Sequence, residues 1–431
     1  MKKLLFISII FWKTFIAFIP CDAEITIKEY LNTAFKDETI VFQKEKIAFL
    51  KASPSTTPYI DEIELRMKID EFEDSKQEYN VRLNLNGWGE HSHGKKVYDA
   101  SLSYNETELA ILLNNSLKDR YMDVIRHHYL DIKLDYINSL KSVYKDRIQV
   151  LKQNVGTLQF DAIGLIEAEG KLLDLLLEKV NNKNDQSVID EKMKKFFPDE
   201  RDHFISIKDL IDIYSIQEKI FKLKESFAQK NVHIQNAQYK YEMANAKYHL
   251  EQAENNTYLS FLEAAYNMDQ KDKFEKAFAI EFGLTIPIVN PNRLDINRRK
   301  LSSIKAKSEW INLKKEIEMR FYGLSKKINR LITQYDIISI QKERSRTEKS
   351  FDIYQQMEGV NPLILLKLKE SMLKNEMTMQ KIKYQIYETY IKLLDCSGKL
   401  ALYPLMNYLS ESSEQLLIPA AESAEPGNEH W

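Results

Sequence analysis

From Lys276 to Lys307 the chain reads KAFAIEFGLTIPIVNPNRLDINRRKLSSIKAK, and its first part alternates. Phe278, Ile280, Phe282, Leu284, Ile286 and Ile288 fall on one parity, and Glu281, Gly283 and Thr285 on the other. That is the period of a β-strand with two unlike faces. Pro287 and Pro291 break the strand, because proline cannot donate to a ladder. Beyond Pro291, apolar residues recur at three- and four-residue spacing within highly charged sequence, and no proline returns until Pro362. The pattern predicts one helix from Asn292 to Met357, about 100 Å long at roughly 1.5 Å per residue. Pro287 and Pro291 thus mark a strand-to-helix junction.

The same plan occurs earlier in the chain. Ile63, Leu65, Met67 and Ile69 alternate with Glu62, Glu64, Arg66, Lys68 and Asp70; Tyr79, Val81, Leu83 and Leu85 alternate with Asn80, Arg82, Asn84 and Asn86. Two alternating runs around the polar stretch 73–78 predict a hairpin. Helical spacing covers 24–52, ended by Pro54 and Pro58, then 98–154, interrupted at Val155-Gly156-Thr157, then 161–180 before the polar stretch 181–186, and 207–254. A less cleanly alternating strand spans 258–268. A return helix follows the break at Gly359-Val360-Asn361-Pro362 and runs to about Leu394, ending near Gly398. Each half reads helix, strand, turn, strand, long helix, glycine break, return helix: a duplicated half, 24–206 and 207–403, rather than a solenoid. Residues 404–431 read as a poorly ordered tail.

Composition narrows this picture. Only 11 glycines and 10 prolines occur in 431 residues, which means few, long elements. Lys and Arg number 62 against 64 Asp and Glu, so no net field favours nucleic acid. Cys21 and Cys396 suggest neither a disulfide framework nor a zinc pattern. Lys2 and Lys3, the apolar run 4–20 and Ala23 before a cleavage point read as a secretory signal peptide, 1–23. Lys13 interrupts the run and argues against a retained anchor. Phe18-Ile19-Pro20 lacks the small residue that a lipidated Cys21 would want. No later segment reads as a transmembrane helix, so in a membrane the strands must do the spanning. On that reading Val81, Leu83, Leu85, Phe278, Ile280, Phe282 and Leu284 face lipid, and the opposite parity faces a wet lumen. Four strands cannot close a barrel, so several chains must share one. A soluble sheet would alternate in the same way, which leaves a secreted coiled-coil adhesion or scaffold protein as the competing reading.

Candidate chemistry is sparse. His91 and His93 lie in a glycine-bounded stretch, expected to be a loop, and with His127 and His128 lack acidic or cysteine partners at ligand spacing. No G-x-S-x-G, P-loop or Cys-x-x-Cys pattern occurs. Cys396 reads as a small buried helix residue, and Tyr384, Tyr387 and Tyr390 as inter-helix packing. No catalytic residue, metal site or cofactor is expected, and the chain does not read as an enzyme.

Four stretches resemble the TolC-type outer-membrane factor family of Gram-negative bacteria, in family order, over about Ile25 to Leu400. They are Ile25-Thr26-Ile27-Lys28-Glu29-Tyr30-Leu31 with Ala34; Val155-Gly156-Thr157 with Ala168-Glu169; Gly283-Leu284-Thr285-Ile286-Pro287-Ile288; and Glu358-Gly359-Val360 with Leu365-Leu366, Tyr390, Leu394 and Gly398. The resemblance implies a mostly α chain with a β-barrel portion. Four transmembrane strands per chain complete a twelve-stranded barrel in a homotrimer, above a coiled-coil tunnel of twelve helices crossing the periplasm. It implies a passive outer-membrane exit duct for tripartite efflux or type I secretion, working with a periplasmic membrane-fusion (adaptor) protein and an inner-membrane pump. Val155, Gly156, Thr157, Gly359, Val360, Asn361 and Pro362 would be the periplasmic tips that meet the adaptor. The chain departs from the family in two places. Asn86-Gly87-Trp88-Gly89 stands where the first junction has a proline, and Leu365-Leu366-Lys367 stands where carboxylates often ring the tunnel mouth. Lys367, and Asp161 in the first tip, are therefore the candidate constriction residues.

Overall fold

The computed structural model of the chain describes residues 25–54, 57–69, 77–156, 160–198, 205–206, 210–226, 231–255, 259–268, 277–284, 292–344, 351, 353–355, 361–412 and 414–416. The signal segment, Thr157, Pro287, Pro291, Gly359 and Val360 lie outside them. The elements in order are β1 (Ile25–Thr26), α1 (Ile27–Asn32), α2 (Glu38–Ala52), β2 (Ile60–Ile69), β3 (Gln77–Leu85), α3 (Glu90–Gln153), α4 (Ala162–Phe196), β4 (Ile205–Ser206), α5 (Ile213–Ser226), α6 (Val232–Glu254), β5 (Leu259–Asn267), β6 (Phe278–Leu284), α7 (Arg293–Arg344) and α8 (Pro362–Cys396). The molecule is mostly helical, with one small sheet at one end.

That sheet has the order β2-β3-β5-β6, antiparallel throughout, so the second hairpin pairs directly with the first. Below it the helices form a layer. Near the sheet its order is α2, α3, α6, α7; further away it is α4, α3, α8, α7. The 64 residues of α3 span about 96 Å and connect both levels. A belt of short elements, β1, α1, β4 and α5, packs against the middle of the layer. Here β1 pairs in parallel with β4, and Thr26 and Glu29 form a reciprocal capping box at the start of α1. Tyr30, Tyr121, Phe321 and Tyr390 are fully buried in the main core at this level.

The structure corrects several sequence expectations. The helix expected over 207–254 is two helices, α5 and α6. Asn231 starts α6 by accepting the backbone N–H groups of His233 at 3.0 Å and Ile234 at 3.3 Å, as an N-cap residue does. The polar stretch 181–186 does not end α4. Asn182 is buried there and donates to the Leu130 carbonyl of α3 at 2.8 Å, so a tertiary partner replaces water. The expected tail is packed as far as Leu416. Leu405, Leu409 and Leu416 are buried, and Ser410 bridges to Leu210. The Tyr121 hydroxyl donates to the Met406 carbonyl at 2.9 Å and accepts the Tyr408 N–H at 3.0 Å. His91 and His93 sit on the opening turns of α3, not in a loop. Among the described residues no helix is long and apolar enough to cross a membrane.

Candidate functional site

The register of the sheet sorts its side chains into rows. Leu65, Val81, Ala264 and Ile280 lie side by side, as do Ile63, Leu83, Leu262 and Phe282, and Met67, Tyr79, Tyr266 and Phe278. This places Val81, Leu83 and Leu85 on the same face as Phe278, Ile280, Phe282 and Leu284. The face is bare: Leu65 is 79% exposed and Ile280 82%. A contiguous exposed apolar surface of this kind marks a site of contact with protein or membrane.

The opposite face is polar and internally paired. Its central row is Glu64, Arg82, Glu263 and Glu281. Arg82 Nε donates to Glu263 Oε2 at 2.5 Å, and its guanidinium lies 4.1 Å above the Phe261 ring. Asn84 donates to Glu64 at 3.0 Å, and Arg66 pairs with the same carboxylate. Sequence reasoning missed the Arg82–Glu263 pair, because register between hairpins 181 residues apart carries no local signal. Gly283, in the stretch that resembles the family, is required by close approach: a Cβ there would run into the Phe261 ring. Exposed Tyr59 and Trp88 flank the helix-side end of this sheet, where aromatic residues border the apolar band of membrane barrels. Tyr59 stacks on His91 with ring centroids 4.3 Å apart.

At the far end, α3 closes with Asn154, exposed Val155 and Gly156, whose φ of 88° is a left-handed turn conformation that suits glycine. Asp161 caps α4, its Oδ1 accepting the Gly164 N–H at 2.8 Å. Asn361 caps α8 in the same way through Leu363 N–H at 3.0 Å, with Pro362 in the first turn. Lys367 is exposed on α8.

Three residues on, Glu370 is buried. Its Oε1 accepts the Tyr144 hydroxyl of α3 at 2.8 Å and the Lys374 ammonium at 2.5 Å, and Arg147 stands 3.8 Å from Oε2. Burial alone would raise the Glu370 pKa, but the bonds from Lys374 and Tyr144, helped by the charges of Lys374 and Lys367, hold it below the usual carboxylate range. Glu370 therefore ties α8 to α3 near the tips, and nothing in the local sequence distinguishes it from a solvated helix glutamate.

The remaining chemistry is structural. His93 stacks on His249 at 5.5 Å, and burial, then Lys96 and His249, lower its pKa. Among the described residues no three His, Cys, Asp or Glu side chains converge as metal ligands would. Cys396 is buried, and burial pushes its thiol up to about 11.

The outer edges of the helical layer are apolar and uncovered. Near the sheet, α2 exposes Phe42 and Phe49 while α7 exposes Leu294, Leu301 and Ile304; lower down, α4 exposes Leu173, Leu177 and Val180 while α7 exposes Ile337 and Ile340.

No protein-family model matches the sequence, and no curated protein matches it. Solved structures match its fold. The outer-membrane protein VceC of Vibrio cholerae aligns over 86% of this chain and 96% of its own at 12% identity, with a TM-score of 0.59. The outer-membrane channel OprN aligns over 88% and 91% at 11% identity, with a TM-score of 0.62. The open MtrE outer-membrane channel of Neisseria gonorrhoeae aligns over 87% and 89% at 12% identity, with a TM-score of 0.58. At such identities the likeness is one of fold: this chain has the fold of the outer-membrane channels that the TolC-type resemblance anticipates.

Proposed function

We propose that three copies of this chain form an outer-membrane channel-tunnel, a passive exit duct for a tripartite efflux or type I secretion assembly. The observation that carries the reading is the two-faced sheet. One face is a set of bare apolar rows, the other a row of charges, and among the described residues β2 and β6 each leave one edge unpaired. In lipid an unpaired strand edge is not tolerated. Placing β6 of one copy beside β2 of the next satisfies both edges, and three chains bring about twelve strands, within the range of natural barrels. The helical layer follows the same operation. The apolar edges of α2 and α4 on one copy meet the apolar edge of α7 on the next, a head-to-tail contact that closes into a ring.

The duct performs no chemistry. The apolar rows face lipid, the charged row faces a wet lumen, and the helices extend through the periplasm. The helical hairpins of the two halves present the stretches Val155-Gly156-Thr157 and Gly359-Val360-Asn361-Pro362 to a periplasmic adaptor, and an inner-membrane pump supplies the energy. Lys367 and Asp161 stand near the mouth.

The test is the mass of protein extracted by detergent from an outer-membrane fraction. A detergent-dependent trimer supports the duct. A water-soluble monomer or dimer removes the barrel and with it transport, leaving the secreted coiled-coil scaffold.

A further inference from the structure

Between α6 and α7, just below the sheet, lies an open groove of about 280 Å³ lined by Lys240, Lys247, Arg299 and Lys305 around small residues, including Ala244, Ser302 and Ala306. Contacts across it fix the pairing of the two helices: Lys240 meets Glu309 at 2.9 Å, and Ser303 meets Asn245 at 3.2 Å. These antiparallel contacts set Lys247 level with Arg299 and Ser302. Glu309 is the single carboxylate of the lining, and it is already shared between Lys240 and Lys305, the latter 4.0 Å away. Arg299 leans on Glu251 at 3.5 Å. Lys247 is half-buried and makes no ion pair or hydrogen bond among the described residues. A partly desolvated cation without a counter-ion is unfavourable. Four cations with two carboxylates between them, Glu309 and Glu251, leave the groove short of negative charge.

We propose that this groove is an anion site for a phosphate group. The chemistry fits a compact oxyanion better than a planar or apolar ligand. Three ammonium groups and a guanidinium fork approach from both helices, a serine hydroxyl lies between them, and the small residues leave room for a tetrahedral group without an aromatic surface to stack on. Lys247 has no counter-charge among the described residues, so the bound anion would supply it, and Glu309 is the anion's internal competitor. The phosphate comes from one of two sources. One is a phosphorylated solute. The other is a phospholipid headgroup, because Lys247 lies seven residues, roughly 10 Å, before the sheet-side end of α6. The groove is a feature of one chain and stands apart from the channel reading; only the lipid source depends on it.

The experiment titrates the full chain in nonionic detergent with pyrophosphate, by calorimetry at low salt. The expected result is saturable binding that weakens about tenfold or more in Lys247→Gln and tightens in Glu309→Gln, where the competing carboxylate is gone. Thermal midpoints and extracted mass that match the parent chain show that both variants are folded. Lack of saturable binding to the parent chain, or equal affinity in all three chains, overturns the site. Repeating the titration in nanodiscs identifies the source. Pyrophosphate bound in phosphatidylcholine discs but blocked when phosphatidylglycerol is included assigns the groove to a headgroup; binding in both assigns it to a soluble phosphate. Each of those two results supports the site.

Discussion

Arg120 shows how single residues hold the belt to the helical layer. Its guanidinium faces Asp37 with both terminal nitrogens, at 2.6 and 3.0 Å, while Nε donates to Thr33 Oγ1 at 2.7 Å and the cation lies 4.8 Å above the Phe196 ring. Removing one partner of such a pair leaves the other carrying an uncompensated charge. Arg120→Ala is therefore expected to lose roughly 3 kcal/mol in denaturant unfolding, with Arg120→Lys recovering only part, because one ammonium cannot reproduce the fork. A loss below the scatter of surface substitutions would show that the pair is not essential to the belt. Glu370 adds a pH dependence. Its folded pKa lies below the ordinary value, so the α3–α8 tie is fully present above about pH 4.3, the unperturbed value, and fades as pH falls through the depressed one. Thermal midpoints of the parent chain should thus decline in acid more steeply than those of Glu370→Gln; parallel profiles would remove Glu370 as the tie. Neither arrangement is legible in sequence. Arg120 and Asp37 are 83 residues apart, and Tyr144 and Glu370 226. Burial of Cys396 is legible, because a small residue on the apolar stripe of a return helix needs no distant partner.

At the scale of elements, Asp161 separates two roles. Its carboxylate holds the Gly164 N–H at the start of α4, which is the work of an N-cap. Asp161→Asn keeps that bond and Asp161→Ala removes it. The cap predicts a loss of about 1 kcal/mol for the alanine variant alone, read by hydrogen exchange along 162–170. A charge lining the mouth would instead change single-channel conductance in the asparagine variant. Element boundaries were legible where the chain itself supplies the signal. The alternation from Ile63 to Leu85 and from Phe278 to Leu284 gave both hairpins, because the two faces of the sheet meet different surroundings. Boundaries set by tertiary partners were hidden. Residues 181–186 look like a break, yet Asn182 reaches Leu130, and Gln186 reaches Asp131 at 2.5 Å. The stretch after α5 has neither glycine nor proline to announce an end; only Asn231, a good cap, hints at a new start. Pro404 with Ser410, Ser412 and Ser413 makes 404–416 look like a tail, while Leu405, Leu409 and Leu416 enter a core that no local signal locates.

The whole molecule is organised by surfaces that a single copy cannot cover. The sheet exposes apolar rows and two strand edges, and the helical layer exposes apolar edges on the same two sides. A duct satisfies all of these with one rotation, whereas a soluble scaffold leaves the rows of Leu65, Val81 and Ile280 against water. The two faces of β6 give the decisive comparison. Phe282 lies in an apolar row near the middle of the strand, and Glu281 lies beside it on the charged face. In a barrel, Phe282→Arg puts a cation against lipid at a cost of about 2–4 kcal/mol near the midplane, repeated in every copy. Glu281→Gln changes only the wet face. The expected outcome is that Phe282→Arg, like Leu83→Arg on β3, loses the detergent-extracted trimer from the outer-membrane fraction, while Glu281→Gln assembles as the parent chain does. In a soluble sheet the order reverses in kind. An arginine on the bare face would meet water and be tolerated, and the paired polar face would be the sensitive one. Normal assembly and fractionation of Phe282→Arg would therefore take the apolar face out of the membrane.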